Sequence, residues 1–287
     1  MSRIAYVNGR YVPHARAAVH IEDRGYQFAD GVYEVCEVKN GFIIDMSRHL
    51  DRLDRSLGEL SIHWPVHRSA LRHILAEVVK RNRIHNGLVY LQVTRGVAKR
   101  DHPFPSAETR PALVVTASRI DPKGSAAMAE TGIGVITVPE NRWDRVDIKT
   151  VGLLPNVLAR QQAKDAGAQE AWFVDGAGTV LEGSATNAWI VTRDGVIVTR
   201  SAEHGILRGI TRTTLFDVAA KLGSTIEERG FTVAEALEAR EAFVTSATKT
   251  VMPVVSIDGK PIGNGHPGST AAALREAFFD VAEKTPA

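Results

Sequence analysis

One cysteine, Cys36, is all the thiol chemistry this chain holds. That excludes an intramolecular disulfide and any cysteine metal cluster, and it suits a reducing compartment. Neither sign of charge dominates, since 35 lysines and arginines face 33 aspartates and glutamates for a net charge of +2. No run of like charge and no basic stripe studded with aromatics occurs, so nucleic acid is not an expected partner. No apolar run reaches the roughly 20 residues that a bilayer demands, so no membrane association is expected. The opening stretch MSRIAYVNGRYVPH lacks the apolar centre of a signal peptide, and a cytoplasmic location is expected. Phosphate signatures are missing as well. There is no GxxxxGK[ST] loop, TGIGV leads into a strand instead of a helix, and the GxSxG elbow of hydrolases is absent. The ten histidines are scattered. His63 and His67 are separated by Pro65, which spoils a helical ligand pair, so both are expected in a surface loop and no metal site is expected.

What is present suffices for a large core. Apolar residues make up 44% and charged residues 24% of 287 positions, enough for two domains. IAYVNGRYV predicts a hairpin turning at Asn8-Gly9, and GVYEVCEVKNGFIIDM predicts a second turning at Asn40-Gly41. Cys36 falls on the opposite face from Val35 and is expected as buried filler. Ser47 is the expected cap of a helix bearing Leu50, Leu53, Leu57 and Leu60 at helical spacing. SALRHILAEVVKRN predicts another helix, and LVYLQVTRG and ALVVTASRI predict strands. Between those strands lies VAKRDHPFPSAETRP, long for a hairpin loop, and long loops are often functional.

After Ile120 the pattern breaks at DPKGSAAMAETG, small and polar, which predicts a linker. The expected organisation is an N-terminal domain over 1–120, a linker over 121–130 and a C-terminal domain over 131–287. In the last, IGVITV, EAWFVD, NAWIV, GVIVT, EAFVTSAT and VMPVVSIDG predict strands. Helices are expected near Pro155–Ala166, where Pro155 suits a first turn, over TRTTLFDVAAKLG, stopped by Gly223, and over STAAALREAFFDVAEK. No internal repeat is found. The mixture is α+β without strict βαβ alternation.

Lys149 stands out in DIKTVGLLPNVLARQQAKDAG. Lysine is rarely buried without a partner, and the nearest acid, Asp147, is two residues away. A lysine forced into an apolar setting loses its proton more readily and becomes a nucleophile toward carbonyls. A lysine snorkelling at a helix entry is the simpler reading on spacing alone. Covalent use of such a lysine points most often to pyridoxal phosphate. That cofactor needs an acid at its pyridine nitrogen, N–H groups for its phosphate, and a cation for the substrate carboxylate. VLEGSATNAWIV offers Glu182, HGILRGITRTTL offers Gly209, Ile210 and Thr211 at a helix start, and RGVAKRDHPFP offers Arg100 and His102.

In order along nearly the whole chain, RGYQFADGVYEV, HLDRL, RGVAKRDHPFP, DIKTVGLLPNVLARQQA, LEGSATNAWIV, GILRGITR and FVTSAT…MPV resemble the class IV, fold-type IV pyridoxal phosphate aminotransferases. Within them the chain is most similar to the bacterial D-amino-acid transaminases. The resemblance implies an α+β fold of two domains, a smaller N-terminal α/β domain and a larger C-terminal β-barrel-like domain with flanking helices. It implies that Lys149 is the Schiff-base lysine and proton shuttle, and that Glu182 hydrogen-bonds the pyridine nitrogen. Without the resemblance, Glu182 reads as a solvated strand end. Arg52 matches an arginine that holds the cofactor phosphate, although its place off the leucine face reads as a surface arginine. Leu207, which reads as core, matches a leucine packed on the cofactor ring. Gly209, Ile210 and Thr211 match a phosphate-cradling helix start. Many relatives have a threonine on the phosphate where this chain has Ala247, so Ser246 and Thr248 beside it are the candidates to replace it. Tyr33, Arg100 and His102 match a trap for the substrate α-carboxylate, with Arg100 and His102 contributed from the partner subunit of a homodimer.

The implied reaction is a ping-pong transamination between a D-amino acid of the D-alanine type and a 2-oxo acid such as 2-oxoglutarate or pyruvate. On the same scaffold the alternatives are a branched-chain L-amino-acid aminotransferase, an (R)-selective amine transaminase or an aminodeoxychorismate lyase. A cofactor-free binding protein is the alternative of another class, and the presence of both Lys149 and Glu182 opposes it.

Overall fold

The computed structural model describes residues 3–203 and 205–287. The strands are β1 (Ile4–Val7), β2 (Arg10–Pro13), β3 (Gly31–Lys39), β4 (Phe42–Ile44), β5 (Gly87–Thr94), β6 (Ala112–Arg119), β7 (Ile133–Pro139), β8 (Glu170–Val174) and β9 (Thr179–Gly183). They continue as β10 (Asn187–Val191), β11 (Ile197–Thr199), β12 (Ile226–Glu228), β13 (Phe231–Thr232), β14 (Glu241–Ser246), β15 (Thr250–Ile257), β16 (Lys260–Pro261) and β17 (Lys284–Pro286). The helices are α1 (Arg24–Phe28), α2 (Met46–Glu59), α3 (Arg68–Arg81), α4 (Pro122–Thr131), α5 (Leu154–Asp165), α6 (Ile210–Lys221), α7 (Val233–Glu238) and α8 (Ser269–Val281).

The chain forms two compact units. One comprises Met1–Asp121, Ile148–Gly152 and Glu283–Ala287, and the other Pro122–Asp147 and Leu153–Ala282. The first unit holds a seven-stranded sheet in the order β17-β4-β3-β5-β6-β1-β2. Both expected hairpins are there, and Asn8 and Gly9 turn the first with positive φ, as do Asn40 and Gly41 the second. One face of the sheet is apolar. In β3 the buried positions alternate as Val32, Glu34, Cys36 and Val38, the period-2 pattern of a half-buried strand. Helices α2 and α3 deliver Leu50, Leu53, Leu57, Leu71, Leu75 and Val78 to the same core.

Helix α2 starts one residue ahead of the expected cap. Asp45, in the left-handed conformation, is the N-cap, and Ser47 lies inside the first turn. The Ser47 N–H and hydroxyl both donate to the Glu283 carboxylate, at 2.9 and 2.8 Å. An acid from the far end of the chain thus satisfies this helix start, as a carboxylate there should. The same terminal segment adds β17 to β4, a pairing that no local pattern announces.

The second unit holds a ten-stranded sheet, β12-β11-β10-β14-β15-β7-β8-β9-β13 with β16 on β15, curled into a half barrel. Irregular register at Val254/Ser256 and Trp172/Val174 adds local twist, as bulges do. Its core includes Trp172, Ile190, Val244 and Met252. The segment expected as a linker over 121–130 is mostly helix α4, whose alanines are strong helix formers even without a buried apolar face.

Helix α2 is held by packing, so its leucines set the stability of the elements that carry the first unit's charges. Leu53 is fully buried. Leu53→Ala is expected to lower the unfolding free energy by about 3 kcal/mol, since it removes apolar contact and leaves a cavity; urea titration measures this.

Candidate active site

Lys149 belongs to the first unit and enters it by strand pairing. Its carbonyl accepts the Tyr33 N–H at 3.0 Å, and the Val151 N–H donates to the Gly31 carbonyl at 3.1 Å, with Val32 bridged to Thr150. Ile148 is buried, so alternation sends the next side chain away from the core. The Lys149 ammonium lies over the Tyr33 ring, 4.2 Å from its centroid, a cation–π contact. Asp147, the nearest acid in sequence, is paired with Arg145 at 2.9 Å.

On the other face of β3, Glu34 is fully buried in phase with Val32 and Cys36. A buried carboxylate requires partners. Arg52 donates to it twice, Nε to Oε1 and Nη2 to Oε2, both at 2.7 Å. His49 Nδ1 lies 2.6 Å from Oε2. Burial alone would raise the carboxyl's pKa, but the charge and hydrogen bonds of Arg52, then of His49, outweigh it and hold it at about 2. Arg52 is therefore no surface residue, as only 9% of its side chain is exposed. Residues 49 and 52 share a helix face because they are three apart. Neither Glu34 nor His49 stood out in the sequence; the signal that could have found them is an acid in phase with a buried apolar row.

Arg100 and His102 lie in the exposed loop between β5 and β6. Both meet the Phe28 ring, with the Arg100 guanidinium 4.6 Å and the His102 ring 5.6 Å from it. Tyr33 instead packs near Tyr90, at 5.7 Å, and Lys149. The expected carboxylate trio thus falls into two neighbourhoods of the first unit.

In the second unit Glu182 is buried within β9 and is not a solvated strand end. Arg142 Nη1 donates to its Oε1 at 2.6 Å, and the Leu207 N–H and Asn187 Nδ2 donate to its Oε2 at 3.1 and 3.2 Å. Arg142 also grips Glu140 through Nε and Nη2. Burial would lower the Arg142 pKa, but Glu140 and Glu182 more than offset this and raise it, so Glu182 keeps a permanent cation beside it. Neither Arg142 nor Asn187 was singled out in the sequence, although Asn187 closes the GSATN stretch.

Leu207 is half-buried rather than core. Its backbone is the anchor, since Leu207 N–H reaches Glu182 and its carbonyl accepts from Asn187 Nδ2 at 2.9 Å. Gly209 is the N-cap of the twelve-residue helix α6, and no side chain caps that end. A Cβ on Gly209 would lie 2.0 Å from Asn187 Oδ1, so only glycine lets this turn sit against Asn187. Ile210 and Thr211 occupy the first helical positions and are buried. An uncapped helix start of this kind presents N–H groups and a positive dipole end to an anion. Ser246 and Thr248 flank Ala247 in the turn between β14 and β15, with their hydroxyls 3.1 Å apart.

Three comparisons bear on these groups. The sequence pattern of the class IV amino-transferases matches residues 31–257. A D-alanine aminotransferase of Listeria monocytogenes serotype 1/2a (strain 10403S) is 40% identical over 275 residues, covering 96% of this chain and 94% of that protein. One from Bacillus licheniformis is 39% identical over 282 residues, covering 97% and 98%. Among solved structures, a T.th. branched-chain amino acid aminotransferase with pyridoxamine 5'-phosphate aligns with a TM-score of 0.90 at 27% identity, over 98% of this chain and 94% of that one.

The buried triad predicts a pH dependence. A carboxyl whose pKa is lowered on folding stabilises the protein above its unfolded value of 4.5, and this is lost as pH falls toward about 2. Glu34→Gln is expected to destabilise by about 3 kcal/mol at pH 7. The gap from wild type should stay flat down to about pH 5 and then narrow, which urea unfolding at stepped pH would display.

Proposed function

The chain belongs to the class IV amino-transferase family, and we propose that it moves the amino group of a D-amino acid of the D-alanine type to a 2-oxo acid, with pyridoxal phosphate as cofactor. Its fold is that of the fold-type IV aminotransferases. The observation that carries the substrate class is the 40% identity, across 96% of the chain, with a D-alanine aminotransferase. The branched-chain enzyme of similar fold is 27% identical.

The chain's own residues fit the cofactor. A helix start with no side-chain cap suits a phosphate, a buried carboxylate held from three sides suits a protonated ring nitrogen, and a lysine fixed by its backbone suits an aldehyde. Bound pyridoxal phosphate supplies an aldehyde that condenses with amines and a cationic ring that accepts electron density from the substrate Cα. Lys149 would be the residue that holds the aldehyde, and its amine, when free, would serve as the base that carries the substrate Cα proton. Glu182 keeps a proton on the ring nitrogen, and Arg142, Asn187 and the Leu207 N–H keep the carboxylate ionised and oriented. Arg52, the N–H groups at Gly209, Ile210 and Thr211, and the hydroxyls of Ser246 and Thr248 hold the phosphate. The Leu207 side chain would pack on the ring. Tyr33, Arg100 and His102 hold the substrate α-carboxylate, which decides the face on which the Cα–H meets Lys149.

We place this enzyme in the cytoplasm as a homodimer, with Arg100 and His102 reaching the partner's substrate. Support comes from exposed apolar residues in each unit. Leu154, Val157 and Leu158 form a stripe on α5, and Ile21 and Tyr26 stand out from the first unit. Among the described residues no helix is long and apolar enough to cross a membrane.

The test is the visible spectrum of purified protein loaded with pyridoxal phosphate. D-alanine should convert its absorption to that of the amine form of the cofactor, and L-leucine should leave it unchanged. Lys149→Ala should cut transfer by at least about 10³-fold. A response to L-leucine alone would transfer the assignment to the branched-chain L-enzymes, and failure to bind the cofactor would refute it.

A further inference from the structure

The loop carrying Arg100 and His102 is exposed and rich in proline; its start pairs with the segment before α1 through the Ala98 N–H on the Glu22 carbonyl, but beyond that its backbone bonds are local. The Thr109 N–H donates to the Ser106 carbonyl, and the His102 N–H donates to the side chain of its neighbour Asp101. Such a loop offers a poor platform for groups that must meet a carboxylate within tenths of an ångström. Three buried charges lie beneath it. Asp30, the residue before β3, accepts from Arg24 Nε at 2.8 Å and from Arg95 Nε at 2.7 Å through Oδ2, and from Arg95 Nη2 at 3.0 Å through Oδ1. The side chains are 11% exposed for Asp30, 4% for Arg24 and 8% for Arg95.

The two guanidinium groups then reach the loop. Arg24 Nη1 donates to the Asp101 carbonyl at 2.6 Å and Nη2 to the His102 carbonyl at 3.3 Å. Arg95 lies 3.7 Å from the centroid of the Phe104 ring, while its Nη1 and Nη2 donate to the carbonyls of Ser61 and Leu60. Phe28 takes the Arg24 guanidinium at 4.8 Å and that of Arg100 at 4.6 Å. Gly96 starts the excursion. Its φ is +98°, a Cβ would lie 2.0 Å from the Arg110 carbonyl oxygen, and its own carbonyl accepts the Arg24 N–H.

We propose that Arg24, Asp30 and Arg95 form a clamp that positions Arg100 and His102 for the substrate carboxylate, making them specificity-determining positioning residues. The inference rests on the reading that Arg100 and His102 hold that carboxylate. The clamp fixes the loop at residues 101, 102 and 104 relative to the start of the strand bearing Tyr33. One carboxylate shared by two arginines suits this task, because planar forks transmit orientation as well as charge. A lysine at position 24 could keep the charge on Asp30 but could not bond both carbonyls.

The test compares Arg24→Lys, Phe104→Ala and Arg100→Ala in the cofactor-loaded enzyme, with D-alanine and pyruvate as substrates. Phe104 is 63% exposed, so its removal does not threaten folding and keeps the test open if the Arg24 variant is unstable. Arg24→Lys and Phe104→Ala should each raise KM about tenfold with kcat within about threefold and cofactor affinity at the wild-type value, and Phe104→Ala should leave Tm unchanged. A merely structural role would lower Tm or kcat without that selective rise in KM. If Arg100→Ala raises KM and the other two leave it unchanged, the clamp is refuted and the carboxylate reading stands. If Arg100→Ala leaves KM unchanged, the carboxylate reading itself falls.

Discussion

The strand Gly31–Lys39 is the constraint on which the first unit depends, because it is committed on its core face, along its edge and at its start. On the core face a carboxylate, Glu34, stands among Val32, Cys36 and Val38. Such a group is tolerable only if cations and hydrogen bonds surround it, so Arg52 and His49 are drawn from the helix above. Along its edge, backbone bonds to Lys149 and Val151 fasten a segment distant in sequence. Ahead of the strand, Asp30 ties down Arg24 and Arg95. One rigid strand thereby sets the positions of an arginine, a lysine and a loop that have no local reason to be related.

The second unit solves a different electrostatic problem. Glu182 is a buried acid, and a buried carboxyl needs charge and hydrogen-bond partners around it. Arg142 supplies the counter-charge and is itself held by Glu140. The Leu207 N–H and Asn187 complete the shell. Asn187 also spans to the Leu207 carbonyl and lies close against Gly209, so the acid and the uncapped helix start are set by one amide side chain. The positive end of a helix dipole and a fixed anion are thus presented from one folded unit, an arrangement that suits a zwitterionic ligand with a phosphate at one end.

Much of this was legible beforehand for identifiable reasons. Hairpins turning at Asn8-Gly9 and Asn40-Gly41, the leucine row of the helix Met46–Glu59 and the stop at Gly223 are local signals, written in turn chemistry and periodicity. Lys149, Glu182 and the Gly209 turn could be named because each lies in a distinctive stretch. The partners of those residues could not. Glu34 and Arg52 are 18 apart, Arg142 and Glu182 are 40 apart, and Ser47 and Glu283 are 236 apart. Alternation and helical wheels report faces within one element and are silent about which charges meet across elements. The same blindness made Arg52 resemble a surface residue.

The residue order by itself determined the family and the main hairpins and helices, since these follow from short-range sterics, apolar periodicity and ordered motifs. Only the tertiary structure decided which of those side chains are buried, which are paired, and that the C-terminal segment closes the first sheet. Desolvation and charge pairing depend on what surrounds a group in three dimensions, and that information is spread over residues with no proximity along the chain.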